Sequence, residues 1–391
     1  MRAGIIVDNE FSNDIRVLRE AEILREDGIE VNVLCFGYVE NYNNKGFNIT
    51  RIKISRKLKN FLFFFMNILP VYEWMWIRKI RKFIVSTSPD VLHVHDLYMA
   101  RAAFRGIKNS GRNIRFILDL HENYPYTVTT YNWTKGFPRR MLSRPYSWTE
   151  KEQEYLGYAD NIIVLSESYK THLETLYPSL KGRFIAYPNV PDISKWKDNG
   201  TVAPNPFNNG FPVIFYYGVI AERRGIFDSL EVFVKLVNEN HCLNFLIIGP
   251  VDKKDSYRFM NYVTDTCLKG RIHYIPWIDS KELPSYLRLA DICLAPFHKN
   301  PQHESGIANK IFEYMAGEKP LVVSDCRPQR ELIEEARCGF VFKNMQEFHD
   351  DLIKLIENSQ LRSQLGKNGR NAIELKYNQR YFRKYLSELY K

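Results

Sequence analysis

The chain has 391 residues, 45% of them hydrophobic, which is enough for two packed domains and too apolar for a disordered chain. A formal charge of +10 points to an anionic partner, with phosphate, membrane surface and nucleic acid as the classes to weigh. The six cysteines (Cys35, Cys242, Cys267, Cys293, Cys326, Cys338) form no C-x-x-C pair, which argues against a disulfide framework and a zinc–thiolate site and for a reducing compartment.

In chain order, RAGIIVD (residues 2–8) reads as a buried first strand, so no signal peptide is expected there. NDIRVLREAEILREDG (13–28) is an amphipathic helix that opens on the good N-caps Asn13 and Asp14 and closes on Gly28. The loop before it lacks G-x-G-x-x-G, so a nicotinamide or flavin dinucleotide is not expected. EVNVLCF (30–36) is the next strand.

Residues 56–82 set an aromatic apolar stretch between two basic clusters, Arg56, Lys57, Lys59 and Arg78, Lys79, Arg81, Lys82. Asn67, Pro70 and Glu73 interrupt it, so it is a poor spanning helix. Two arrangements suit it: a segment lying on an anionic membrane surface, or a pair of helices packed on a sheet.

DVLHVHD (90–96), RFILDLH (115–121) and NIIVLS (161–166) are further buried strands. Two of them end in polar groups: His93, His95 and Asp96 on one, Asp119, His121 and Glu122 on the other. Histidines at strand ends can donate to a ligand hydroxyl or phosphate. As a metal set they lack helical spacing and an evident partner, so no metal ligand is assigned. No D-x-D pair occurs, which argues against a divalent cation on a diphosphate.

Residues 187–212 carry five prolines and read as a linker. The alternation then restarts with PVIFYYG, NFLIIG, RIHYI, DICLAPF, KPLVVSD and CGFVF, and the tail reads as two helices. The expected architecture is α/β, with two doubly wound Rossmann-like domains facing across a cleft. Residues 1–195 form the first, 205–370 the second, and 371–391 a C-terminal helix crossing back.

In the second half, YYGVIAERRGIFDSL (216–230) runs strand, loop, helix. Gly218 lets backbone approach a ligand, and Arg223 or Arg224 stands where a helix N-terminus favours phosphate. HESGIANKIFEYMAG (303–317) is a polar loop leading into a helix that places Lys310 and Glu313 on one face. Amide donors, a cation and a carboxylate are what a sugar nucleotide requires, although a capped helix with a surface Lys–Glu pair has the same spacing.

These pieces, with NKIFEYMAGEKPLVVSD the most specific, resemble the retaining glycosyltransferases of sequence family 4, which have the GT-B fold. The resemblance covers nearly the whole chain. It implies a sugar-nucleotide donor, UDP- or GDP-linked, a saccharide or lipid-linked acceptor, and no metal or other cofactor. It implies an N-terminal acceptor domain and a C-terminal donor domain.

The family's donor motif has two glutamates separated by seven residues. Glu313 matches the second, which contacts the ribose, and Ser305 falls on the first. Arg224 falls on the family's diphosphate lysine, Val219 replaces its arginine, and Lys310 supplies charge. His121 matches the histidine that reaches the donor sugar. The implied catalytic residues are therefore His121, Arg224 and Lys310. The donor contacts are Gly218, Arg224, Ser305, Gly306, Ile307, Asn309, Lys310 and Glu313, and the acceptor contacts are Asn13, Asp14, Arg16, His95 and Asp96. The setting expected is cytoplasmic, in cell-surface polysaccharide synthesis, with contact at the inner face of the cell membrane through residues 56–82 if that segment lies on a surface rather than packing in the fold. A same-fold epimerase and a non-catalytic sugar-binding subunit are the rivals. Nucleic acid is not expected, since no recognised module is present.

Overall fold

Buried strands that alternate with amphipathic helices satisfy their backbone by pairing side by side, with helices over both faces. The computed structural model, which describes residues 1–38, 44–192 and 200–391, has this arrangement twice. One compact unit comprises Met1–Pro188 and Arg383–Lys391, and the other comprises Asn189–Phe382. Residues 193–199, within the expected linker and at the end expected for the first domain, lie outside the described residues.

The first unit is built on a seven-stranded, wholly parallel sheet. Its strands are β1 (Arg2–Ile6), β2 (Glu30–Gly37), β3 (Asn48–Lys53), β4 (Val91–His95), β5 (Arg115–Asp119), β6 (Asn161–Val164) and β7 (Phe184–Ala186). Their spatial order is 3-2-1-4-5-6-7, so the winding reverses between β1 and β4. The second unit has six parallel strands: β8 (Val213–Tyr217), β9 (Asn244–Ile248), β10 (Ile272–Ile275), β11 (Ile292–Ala295), β12 (Leu321–Ser324) and β13 (Gly339–Phe342). Their order, 10-9-8-11-12-13, reverses between β8 and β11. Ligands of such sheets collect beyond the carboxyl ends of the strands at the reversal. That is where β4 delivers His95 and where β8 delivers Gly218.

Helix α1 (Ile15–Glu26) starts on Asp14, whose side chain accepts from the N–H groups of Arg16 and Val17. Residues 56–82 form α2 (Arg56–Phe64), capped by the Ser55 hydroxyl, and most of α3 (Val71–Thr87). α3 drives Tyr72, Trp76, Ile80, Phe83 and Ile84 into the core, as the packed-helix reading requires. α2 and the turn after it stay at the surface, with Phe61 57%, Leu69 48% and the nearby Trp74 56% exposed. Among the described residues no helix is long and apolar enough to cross a membrane.

The segment that joins the first unit is shorter than residues 371–391. The helix Ser359–Leu375 stays in the second unit, and the return begins at Arg383. Arg383 pairs with Glu26 and Asp27, Arg115 donates to the Leu389 carbonyl at 2.7 Å, and the Tyr390 hydroxyl lies 2.8 Å from His93 Nδ1.

Candidate active site

In the second unit, β8 ends at Tyr217 and the chain turns through Gly218, whose φ of +130° favours glycine. A neighbouring turn is as restricted. Gly249 has φ +144°, and a Cβ there would stand 2.1 Å from the Gly218 carbonyl oxygen. Past Arg224, Gly225 has φ +70°, and its Cβ would stand 1.7 Å from the Pro296 carbonyl oxygen. Glycine is thus required at three points that let the loops after β8, β9 and β11 close on one another.

Onto this floor comes Lys310, in the first turn of the helix Asn309–Ala316. Ile311, Phe312, Tyr314 and Met315 bury that helix and fix its direction. Lys310 is 6% exposed, and its Nζ lies 3.7 Å from the Tyr216 ring centroid and 4.8 Å from that of Phe297. It has no hydrogen-bond partner. Burial, and after it the charge of Arg224, hold its pKa well below 10.5, while Glu313 acts in the opposite sense. The Arg224 guanidinium stands 5.5 Å from the same Phe297 ring, with Nε buried and unpartnered, and burial lowers its pKa too. Among the described residues neither cation has a carboxylate in salt-bridge contact. Two cations held out of water against one ring are unfavourable unless an anion completes them. The opening amides of the helix at Asn309 and Lys310 have no intrahelical acceptor and add to the same positive field.

Glu313 stands one turn further on. Its charge helps raise the Tyr217 phenol pKa, after burial, which places it at the end of β8. The loop before the helix departs from expectation. Ser305 is fully buried, and its hydroxyl donates to the Gln302 carbonyl at 2.7 Å, so that group is spent inside its own turn. Glu304 accepts from the Arg327 N–H at 3.0 Å, ahead of the helix Arg327–Ala336. Gly306, Ile307 and Ala308 precede the helix, which begins at Asn309 because Ala308 is extended. Asn309 accepts from the Asn189 side chain at 3.1 Å.

In the first unit, parallel register sets His95 beside Asp119 at the ends of β4 and β5. Arg16 and Glu20, one turn apart on α1, face the same point. Arg16 grips Asp119 with two bonds of 3.0 Å, donates to the Tyr187 carbonyl at 3.2 Å, and has Nε 3.2 Å from Glu20. Burial raises the Asp119 pKa, but Arg16 overrides it and holds the carboxyl well below its usual range. Burial lowers His93 and His95. His121, 20% exposed, lies with Nε2 3.0 Å from His95 Nδ1 and 3.5 Å from Asp119. Burial would lower its pKa, but the bond to Asp119 and that group's charge carry it up to about 9.

Beside His121, Asp96 adopts φ +74° and accepts from the Tyr98 hydroxyl at 3.0 Å. Glu122 accepts from Tyr131, and burial lifts its pKa to about 7.

Gly218, Arg224 and Lys310 therefore converge, and His95, Asp96 and His121 converge separately in the first unit. Two expected acceptor contacts are engaged in the fold: Asp14 caps α1, and Arg16, 8% exposed, is locked onto Asp119, while Asn13 lies exposed in the short turn before that helix. Sequence reasoning missed Tyr216 and Phe297 as walls of the lysine pocket; the apolar strands around them gave no cue. It also missed Glu20, which reads as an ordinary helix acid and is 1% exposed.

Comparison with known proteins places these sites in context. Residues 15–194 match the model described as Glycosyltransferase Family 4, and residues 201–372 match Glycosyl transferases group 1. The spore coat protein SA of Bacillus subtilis is 20% identical over 230 residues, 54% of this chain and 60% of that protein. The phosphatidyl-myo-inositol mannosyltransferase of Mycolicibacterium smegmatis is 24% identical over 375 residues, 93% of this chain and 86% of that one. The matches with the first three curated relatives span only 42–60% of their lengths. Among solved structures, Anabaena Alr3699/HepE in complex with UDP has the same fold, with TM-score 0.69 and 12% identity over 99% of both chains.

Proposed function

The chain belongs to the group 1, family 4 glycosyltransferases of GT-B fold, and on that premise we propose that it moves a sugar from a nucleoside-diphosphate sugar to a saccharide or lipid-linked acceptor, with retention at the anomeric carbon. The setting proposed is cell-surface polysaccharide or glycolipid synthesis in the cytoplasm. A UDP or GDP carrier is the donor class, in keeping with the UDP held by the Anabaena protein.

The observation that carries this reading is the pair of partnerless cations. Lys310 and Arg224, with the amides of the helix Asn309–Ala316, suit a diphosphate, and Glu313 suits the vicinal hydroxyls of its ribose. In the reaction the bond from the anomeric carbon to the β-phosphate oxygen breaks as the acceptor oxygen bonds to the same face. The acceptor proton passes to the departing phosphate oxygen. No glycosidase-type carboxylate pair is needed, because the sugar never waits on the protein. Lys310 and Arg224 stabilise the charge gathering on the diphosphate. Two such cations do the work that a divalent cation does elsewhere, so the transfer runs without a metal on the diphosphate.

Lys310→Ala and Glu313→Ala are each expected to lower product formation from a UDP- or GDP-sugar by roughly 10²–10³. Transfer at the parent rate by both variants would sink the reading. Membrane contact is proposed through exposed Phe61, Leu69 and Trp74 beside Arg56 and Lys57. Flotation with anionic liposomes at low salt, weakened in a Phe61→Ser/Trp74→Ser variant, is the expected result, and no flotation would remove that part of the proposal.

A further inference from the structure

The buried polar cluster of the first unit holds more acceptor groups than the fold uses. Glu20, His93, His95 and Asp119 are all at most 1% exposed, and one ligand atom from each lies within 4.8 Å of the others. Neither oxygen of Glu20 and neither Nε2 of His93 and His95 has a hydrogen-bond partner. These three groups face each other at 3.9 Å (His93 Nε2 to Glu20 Oε2) and 4.0 Å (His95 Nε2 to Glu20 Oε2). Those separations are too long for direct hydrogen bonds and leave room for one small mediator.

The other nitrogen of each ring is already held. His93 Nδ1 meets the Tyr390 hydroxyl at 2.8 Å, and His95 Nδ1 lies 3.4 Å from Asp119 and 3.0 Å from His121 Nε2. A metal ion would select the tautomers with the proton on Nδ1, toward Asp119 in His95 and toward Tyr390 in His93, which turn both Nε2 lone pairs to Glu20. Three acceptors then converge on one point. A water offers only two hydrogens, whereas a divalent ion accepts all three lone pairs.

His93 and His95 alternate on β4, so their rings lie on one face, stacked with centroids 4.6 Å apart. Two imidazoles and a carboxylate, with a carboxylate behind one imidazole, form the donor set and outer shell that suit zinc or a neighbouring transition metal. Asp119 is committed to Arg16 and acts from behind. Arg16, at 3.2 Å from Glu20 Oε1, leaves Oε2 for the ion.

We propose that Glu20, His93 and His95 form a divalent transition-metal site of the zinc class, independent of the donor pocket. An ion about 2.0–2.2 Å from each ligand would draw the three atoms to about 3.3–3.6 Å apart, which turns the two stacked rings toward each other as Glu20 moves in. The site is structural. It pins α1 to β4, fixes the ring of His95, and so sets the face that His95 presents to His121.

The test is metal content and cobalt spectroscopy of the full-length protein, stripped with a chelator and dialysed against Zn²⁺ or Co²⁺. One tightly held ion per chain, with Co²⁺ absorption bands of low-coordinate geometry, is expected. Glu20→Gln should weaken binding by at least tenfold, and Tyr390→Phe should weaken it by roughly 10–100-fold, as loss of an outer partner does. No stoichiometric ion, or equal binding by Glu20→Gln, would overturn the proposal. If Glu20→Gln fails to fold, X-ray absorption of the zinc-loaded parent decides: two imidazoles and oxygen support the site, and sulfur ligation refutes it.

Discussion

Replacing Lys310 by Met keeps the length and apolar stem of the side chain and deletes its charge. In the free protein that charge is a burden. The amine is 6% exposed, has no hydrogen-bond partner, and has its pKa held down first by burial and then by Arg224. An unsatisfied buried polar group costs about 1–3 kcal/mol. The contacts with Tyr216 and Phe297 return part of this, roughly 1–2 kcal/mol. The depressed pKa says that burial wins, so Lys310→Met should stabilise the free protein by about 1 kcal/mol and raise its melting temperature by roughly 2–4 °C, as for domains of about 150–250 residues. Binding should move the other way. Losing a charged hydrogen bond to phosphate is worth about 1.5–3 kcal/mol, which raises Kd for UDP or GDP roughly 10- to 150-fold. Differential scanning calorimetry and titration calorimetry on the same preparations read both numbers. A lower melting temperature together with a Kd within about twofold of the parent would refute the reasoning, because Lys310 would then be a structural residue.

Other outcomes follow from the same groups. A diphosphate should return the Lys310 pKa toward 10.5, so binding takes up a proton, and affinity falls as pH rises from the depressed free value toward the bound one. Titrations in buffers of different ionisation enthalpy should show this uptake in the parent and not in Lys310→Met; equal uptake in both would rule it out. Asp8 is a second case. Burial raises its pKa to about 6 from 3.8, against the charge of Lys59 and the Tyr72 hydroxyl. The folded state thus holds the proton more tightly, and the associated stability, about 3 kcal/mol, is present below about pH 4 and lost as pH rises through 6. Asp8→Asn should flatten the pH dependence of the melting temperature over that window; an unchanged slope would count against the assignment.

Much of this was legible in the sequence because buried parallel strands leave an apolar signature. Runs such as AGIIVD, NFLIIG and KPLVVSD became β1, β9 and β12. Glycines that turn the chain at Gly218 and Gly225, and the lysine one turn before Glu313, were equally readable. What stayed hidden depends on tertiary partners. Arg16 and Glu20 look like solvent-facing helix charges, yet α1 turns them inward onto Asp119, which lies far along the chain. Ser305 stands where a donor contact was expected, and only the turn geometry shows its hydroxyl bonded to Gln302. The aromatic walls of the lysine pocket, Tyr216 in β8 and Phe297 just past β11, stand in apolar runs whose pattern speaks only of burial.

The meeting of Gly249 with Gly218 has a consequence for how this protein can diversify. Residue 249 belongs to the turn after a different strand, yet a single methyl there would push on the carbonyl beneath the lysine. The turn at Gly218 cannot be reshaped through that neighbouring turn one residue at a time. On the proposed function, changes in donor preference arise instead from positions that line the pocket without bracing it.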